Sequence, residues 1–293
     1  MPPRTNPTTT ATATTAGVLR PELLARHVRT ERWPAGPATT RWVENYWSLR
    51  WSLPEGVSYS SQTLPHPTCS LTLEQGEQPR PEVAATGTQI VVTGVVTSRF
   101  DVDIRGRGWV FGVKFRPGGL VALTGVGPAR AWADRTLPAA GILPDAVVTA
   151  LARLDADGDP DEWVATTEAA LGGIPHPVDG RYGALLAIIS DMLADRQLVS
   201  VAQVEQRHHV TGRTLQRWFM HYVGVGPKWV LARYRMHDVV TAIDGGYAGP
   251  LTELAHRYGW YDQSHFTRDF TTLVGIPPSR YRDERASRTH AQR

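Results

Sequence analysis

Apolar and polar positions along this chain follow two periods. Between about residues 41 and 116 the period is two: Trp47, Leu49, Trp51 and Leu53 alternate with other residues, and Leu71 and Leu73 form a shorter run. Phe100, Val102 and Ile104 alternate with Asp101, Asp103 and Arg105, and beyond Gly106-Arg107-Gly108 the residues Trp109, Phe111, Val113 and Phe115 alternate again. Strict alternation on both sides of a glycine-containing turn predicts a β-hairpin. After Arg116-Pro117-Gly118-Gly119 the pattern turns helical, with helices expected at roughly 145–154 and 161–171 around an acidic turn. Gly172-Gly173-Ile174-Pro175-His176-Pro177 then breaks the chain, because a residue before proline is pushed out of the helical region. From Arg181 onward the segments read as helices with short turns.

The expected fold class is therefore α+β: a mainly β amino-terminal domain, small barrel or sandwich in kind, with a helical end, followed by an all-α domain. The boundaries are a disordered segment at 1–17, rich in Thr, Pro and Ala, the β-rich domain at 18–175, the helical domain at 181–283, and a disordered tail at 284–293.

The helical domain repeats itself at an offset of 51 residues. Leu215-Gln216-Arg217-Trp218-Phe219 precedes Val223-Gly224-Val225-Gly226-Pro227, and Phe266-Thr267-Arg268-Asp269-Phe270 precedes Val274-Gly275-Ile276-Pro277-Pro278. A unit repeated at this length is a structural module used twice. In the first copy, Ser200 and Gln203 match a capping box, and Thr211 is expected to cap the next helix. Leu215, Trp218, Phe219 and Tyr222 fall on one stripe of that helix, which leaves Arg213, Gln216, Arg217 and Met220 on the opposite face. In the second copy, Gly249-Pro250 starts a helix with proline in its first position, Gly259 ends it and Asp262 caps the next. There Phe266, Phe270 and Leu273 point inward, and Ser264, Thr267, Arg268 and Thr271 outward. Two short helices joined by a tight turn, the second with a polar, arginine-bearing face, form the pattern of a helix-turn-helix.

Charge sharpens this reading. The net charge is only +3, but residues 1–180 carry 16 basic and 18 acidic side chains, whereas residues 181–293 carry 15 and 10. The basic excess thus lies on the repeated part. Arginine pairs with guanine O6 and N7, glutamine with adenine N6 and N7, and cap hydroxyls bind phosphate.

Residues 185–283 resemble the DNA-binding domain of AraC-type transcription regulators. The most specific part is Gly259-Trp260-Tyr261-Asp262-Gln263-Ser264-His265-Phe266-Thr267-Arg268-Asp269-Phe270, followed by Gly275-Ile276-Pro277-Pro278 and Tyr281-Arg282. The resemblance implies two helix-turn-helix units joined by a long helix, here Pro227 to Ile243, with Arg235-Met236 where the family has an Arg-Leu pair. It implies that Arg213, Gln216 and Arg217 of the first unit, and Gln263, Ser264, His265 and Arg268 of the second, face DNA. Thr214 and Lys228 become phosphate-contact candidates, and the caps Thr211 and Asp262 join the same surface. Two departures stand out: Glu205 occupies a position where the family has Ala, and His209 one where the turn has Gly. These mark the first unit as the less regular of the two, with the more variable grip on DNA expected there.

The front half resembles, more loosely, the poorly characterised sensor-type domain that precedes this module in some of these regulators. The carriers are Val43-Glu44-Asn45-Tyr46-Trp47, Leu64-Pro65-His66-Pro67 and Phe111 to Gly119. That resemblance implies effector sensing or dimerisation. Trp42, Tyr46, Trp47, Trp51 and Trp109 are either the lining of an apolar pocket or simply core. Arg116 either binds an anion or ties down its turn. Trp47, Trp109 and Arg116 are the effector-site candidates.

Other classes find less support. No run approaches the ~18 apolar residues of a membrane span, and the amino terminus lacks a signal-peptide core, so a soluble cytoplasmic protein is expected. The single Cys69 excludes an internal disulfide and reads as a small buried hydrophobe. His66 and Cys69 are the only close donor pair for a metal-dependent barrel enzyme, and His208, His209, His221 and His237 lack ligand spacing. No phosphate loop or nucleophile elbow is present. Neither metal nor cofactor is expected. The partners expected are promoter DNA, a small effector, a second copy of the chain and RNA polymerase. A constitutive DNA-binding protein that senses nothing is the remaining alternative.

Overall fold

The structure, a computed structural model, describes residues 18–19, 24–76, 88–176 and 179–291. The segment 1–17, expected to be disordered, lies outside the described residues. Among the described residues the amino-terminal region holds nine strands: β1 (Val18–Leu19), β2 (Val28–Pro34), β3 (Val43–Ser52), β4 (Ser58–Thr63), β5 (Ser70–Gly76), β6 (Gln89–Thr93), β7 (Phe100–Arg105), β8 (Arg107–Phe115) and β9 (Thr136–Pro138). They form a six-stranded antiparallel sheet ordered β2-β3-β8-β5-β6-β9 and a three-stranded sheet ordered β1-β4-β7.

The hairpin expected across residues 100–115 does not form. Both flanking strands exist, but β7 pairs with β4 while β8 pairs with β3 and β5. Gly106, at φ 49°, turns the chain from one sheet into the other, and its carbonyl accepts the Leu53 N–H at 2.8 Å. Local alternation predicts strands but not their partners. Here β8 is flanked on both edges by more distant strands, so no edge remains for β7.

Register explains how the aromatic residues divide. Trp47 pairs with Gly112 and Trp51 with Gly108, so each indole lies over a glycine, and a Cβ at either position would collide with it. Trp109 pairs with Arg50, on the opposite face of the sheet. On that face Tyr46, Leu71, Leu73, Val92, Trp109, Phe111 and Val113 are buried together. The other face, at the Trp51 end, packs with β4 and β7 through Leu24, Val28, Leu53 and Ile104. The result is sandwich-like, as the alternation implied.

The helices α1 (Gly119–Thr124), α2 (Asp145–Leu151), α3 (Pro160–Gly172) and α4 (Gly180–Ala194) follow in this half and lead out of it. Helix α3 covers the buried face of the large sheet. The Trp163 ring lies tilted at 4.9 Å from Trp109 and 5.7 Å from Phe111, and the Arg50 guanidinium lies 4.8 Å over it. The Glu168 carboxylate accepts the Gly36 N–H at 2.9 Å and the Tyr46 hydroxyl at 2.6 Å, and is also bonded by the Thr39 hydroxyl. Burial and that bond raise the Tyr46 pKa. Cys69 is buried in the same core, where desolvation pushes its thiol up to about 12.

The remaining helices are α5 (Val201–His208), α6 (Gly212–Trp218), α7 (Pro227–Asp244), α8 (Leu251–Arg257), α9 (Gln263–Val274) and α10 (Pro278–Ala291). Phe219–Val223 extends α6 as a π turn that ends at Gly224. Of the tail expected to be disordered at 284–293, residues 284–291 belong to α10, and residues 292–293 lie outside the described residues. Tyr281 donates to the Asp244 carboxylate at 3.0 Å, Arg285 pairs with the same group at 2.9 Å, and Arg280 pairs with Glu284 one turn on. These contacts offset the polar composition that suggested disorder.

Packing does not divide where the chain pattern does. Val204, Leu215, Phe219, Tyr222, Val223, Val230, Leu231 and Tyr234 belong to the same continuous core as the large sheet. Met236, Val239, Val240 and Ile243, further along α7, belong instead to the core of the second unit, with Leu254, Trp260, Phe266, Phe270 and Tyr281. Leu19 and Leu64 of the amino-terminal region insert into this second core. Among the described residues no helix is long and apolar enough to cross a membrane.

Candidate nucleic-acid interface

The first unit is α5, a turn at His209 and Val210, and α6. Ser200 and Gln203 form the expected capping box at the start of α5: the Ser200 hydroxyl accepts the Gln203 N–H at 3.3 Å, and the Gln203 amide oxygen accepts the Ser200 N–H at 3.0 Å. Thr211 caps α6 and accepts the Thr214 N–H at 3.3 Å, while its hydroxyl donates to the Thr214 hydroxyl at 3.1 Å. The inward stripe is buried as its spacing requires, with Leu215 and Phe219 fully enclosed and Trp218 half-buried against the core.

The two departures of this unit have physical explanations. His209 takes the left-handed conformation, φ 51°, that Gly259 takes at φ 83° in the second unit. An L side chain there is strained, but not forbidden. Glu205, in place of a small residue, uses its carboxylate to accept the backbone N–H of Gly212, the first residue of α6. The bulkier side chain thus satisfies a helix-start donor that would otherwise lack an intrahelical partner.

The outward face of α6 meets the amino-terminal region. Arg213, Gln216, Arg217, Met220 and His221 form one bank of an open cleft of about 530 Å³, and Pro128 and Arg130 form the other. Gln216 lies back toward Gly226, where a Cβ would come within 3.1 Å of its amide oxygen. Lys228, the second residue of α7, is exposed nearby in the chain. Arg130 was not among the residues singled out from the sequence. Its signal there is nil, because only the packing of the turn at 129–131 on the π turn brings it to α6.

The second unit is α8, the Gly259 turn and α9. Helix α8 begins at Leu251, so Pro250 is its cap rather than its first residue. Asp262 caps α9 by accepting the His265 N–H at 2.7 Å. Phe266 and Phe270 are buried, and Gln263, Ser264, His265 and Arg268 are exposed on the other side. Gln263 accepts the Thr252 hydroxyl at 2.9 Å, which fixes it toward α8. His265 lies 3.3 Å from Asp269, whose carboxylate also accepts the Trp260 indole N–H at 2.9 Å. Arg235 of α7 donates to the Gly259 carbonyl at 2.8 Å and lies over the Trp260 ring at 4.8 Å, holding the turn. Tyr261, 90% exposed beside the cap, is a further projecting group.

The amino-terminal region touches both units, near the carboxyl ends of α6 with its π turn and of α9. At the first, Gly224 packs on Ala129. At the second, Arg99 donates to the Val274 carbonyl at 3.0 Å and lies across Gly275. Between them, Arg233 of α7 is buried over the Trp229 ring at 4.7 Å and donates to the Thr97 carbonyl at 3.3 Å; burial lowers its pKa to about 10. His237 of α7 makes a 3.0 Å hydrogen bond with the Pro65 carbonyl.

The effector-site candidates do not converge. Trp109 is buried against α3, Trp47 lies on the opposite face of the sheet, and the Arg116 guanidinium donates to the Thr40 carbonyl at 2.7 Å, tying down its turn. Among the described residues no group of three or more His, Cys, Asp or Glu side chains is placed to hold a metal ion.

Comparison with known families places two models on the chain. Residues 31–138 match a domain of unknown function, and residues 205–284 match a helix-turn-helix domain. No curated protein matches the sequence. Among solved structures, ToxT from Vibrio cholerae is 12% identical, with 87% of this chain and 98% of that chain covered and a TM-score of 0.37. A second ToxT structure, with an unsaturated fatty acid bound, is 11% identical over 92% of this chain and 96% of that one, with a TM-score of 0.31. Likeness this loose carries no argument about this chain. The family match, the two capped units and the residues quoted from the second unit agree: residues 205–284 are an AraC-type helix-turn-helix domain, and the chain is a DNA-binding transcription regulator.

Proposed function

We propose that this chain is a sequence-specific transcription factor that inserts α6 and α9 into successive major-groove segments on one face of DNA, about 34 Å apart. Arg213, Gln216 and Arg217 read the first segment, and Gln263, Ser264, His265 and Arg268 the second. Thr211, Thr214, Lys228 and the Asp262 cap lie beside the backbone. The observation that carries this reading is the sidedness of both helices: Leu215, Phe219, Phe266 and Phe270 on the inner stripes are buried while the arginine-bearing faces remain exposed. Arg217→Ala combined with Arg268→Ala should weaken binding to a footprinted site by at least about 30-fold, since each bidentate base contact contributes about 1–3 kcal/mol. Undiminished protection of that site would overturn the reading.

The amino-terminal region is proposed to modulate binding, through an effector or a second copy, because it packs on both reading helices at Ala129 and Arg99. A version of the chain that binds constitutively differs in one respect: its promoter affinity would be unchanged by cell extracts or by protein concentration. RNA polymerase is the proposed downstream partner, and a DNA target puts the site of action in the cytoplasm, on the nucleoid.

A further inference from the structure

The cleft between the turn at 129–131 and α6 has a one-sided charge. Arg130 and Arg213 stand on facing banks with Arg217 and His221, and among the described residues no carboxylate lines the space. Among the described residues, the Arg130 guanidinium has neither a hydrogen bond nor an ion pair. Three arginines held around one open space repel one another unless an anion neutralises them. The loop is nonetheless held in place. Ala129 is buried, Pro128 and Ala129 accept the N–H groups of Ala131 and Trp132 at 3.0 and 2.9 Å, and Gly224 packs directly on the Ala129 carbonyl. The backbone that carries Arg130 is therefore fixed relative to the outward face of α6.

We infer that Arg130 is a DNA-backbone contact supplied by the amino-terminal region: it binds a phosphate flanking the major-groove segment that α6 reads. The inference rests on the DNA-binding reading above. It extends the interface beyond the helix-turn-helix domain, and makes the turn at 127–132 part of the bound surface. Charge complementarity favours this occupant, because a duplex brings a line of phosphates to the very face on which Arg213 and Arg217 project. A guanidinium beside a phosphate positions the protein but reads no sequence.

The test uses the full chain with a duplex recovered by in vitro selection and a scrambled duplex of equal length. Arg130→Ala should weaken both by the same factor, about 5-fold at 0.15 M salt, and reduce the slope of log K against log salt by about 0.9. Arg130→Lys should keep the slope, and thermal unfolding of both variants should match the parent. Equal affinity and slope for Arg130→Ala and the parent would overturn the inference, as would a loss confined to the selected sequence. Tight binding of pyrophosphate by the free chain, combined with an unchanged DNA slope, would also overturn it, assigning the cleft to a free phosphate compound. The double variant Arg217→Ala with Arg268→Ala runs alongside: if it binds DNA like the parent, the DNA reading itself fails; if it loses binding while Arg130→Ala does not, only the role of Arg130 falls.

Discussion

The carboxylate of Glu205 accepts the backbone N–H of Gly212, so one residue of α5 caps the start of α6. Glu205→Ala should cost about 0.5–2 kcal/mol, the range for losing a helix cap, while Glu205→Gln should retain most of the stability. Denaturant unfolding of the three proteins checks this. Equal midpoints for Ala and Glu would remove the capping role.

The turn after that helix gives a second expectation. His209 sits at φ 51°, where β-branched side chains are disfavoured and glycine is free. His209→Gly should leave stability within about 1 kcal/mol of the parent, and His209→Val should lower it by about 1–2 kcal/mol. If Val were tolerated as well as Gly, the left-handed turn would be wrong.

Gly224 marks the seam between the first unit and the amino-terminal region. It has φ 98°, and a Cβ there would lie 3.0 Å from the Ala129 carbonyl oxygen. Gly224→Ala should therefore destabilise by more than about 1 kcal/mol and speed amide exchange in both the 129–132 turn and the π turn. Exchange that quickened on one side only would mean that the seam does not couple them.

Cys69 supplies a chemical probe of the core. Burial raises its thiol to about 12, so almost no thiolate exists near neutral pH and access is blocked. A thiol reagent should leave the native chain untouched at pH 8 and react once with the unfolded chain. Fast reaction under native conditions would show that the sheet opens readily.

What was legible in the sequence was local. The stripe from Leu215 to Tyr222 and the caps Thr211 and Asp262 depend on residues a few positions apart, and the structure keeps them. The partners of β7 and β8 were not legible, because alternation is blind to which distant strand fills an edge. The opposed faces of Trp47 and Trp109 follow from their pairing with Gly112 and Arg50, and that register is not carried by spacing alone. The helical tail needed Asp244, remote in sequence, to hold Tyr281 and Arg285. Arg130 reaches α6 only through tertiary packing.

Helix α7 has one further consequence. Its first half is embedded in one core and its second half in the other, and its 18 residues span about 27 Å. In the proposed binding mode it is a ruler of fixed length and fixed twist. A promoter recognised through both reading helices must present its two segments in matching helical phase, so inserting half a turn of DNA between them turns one segment away from the protein.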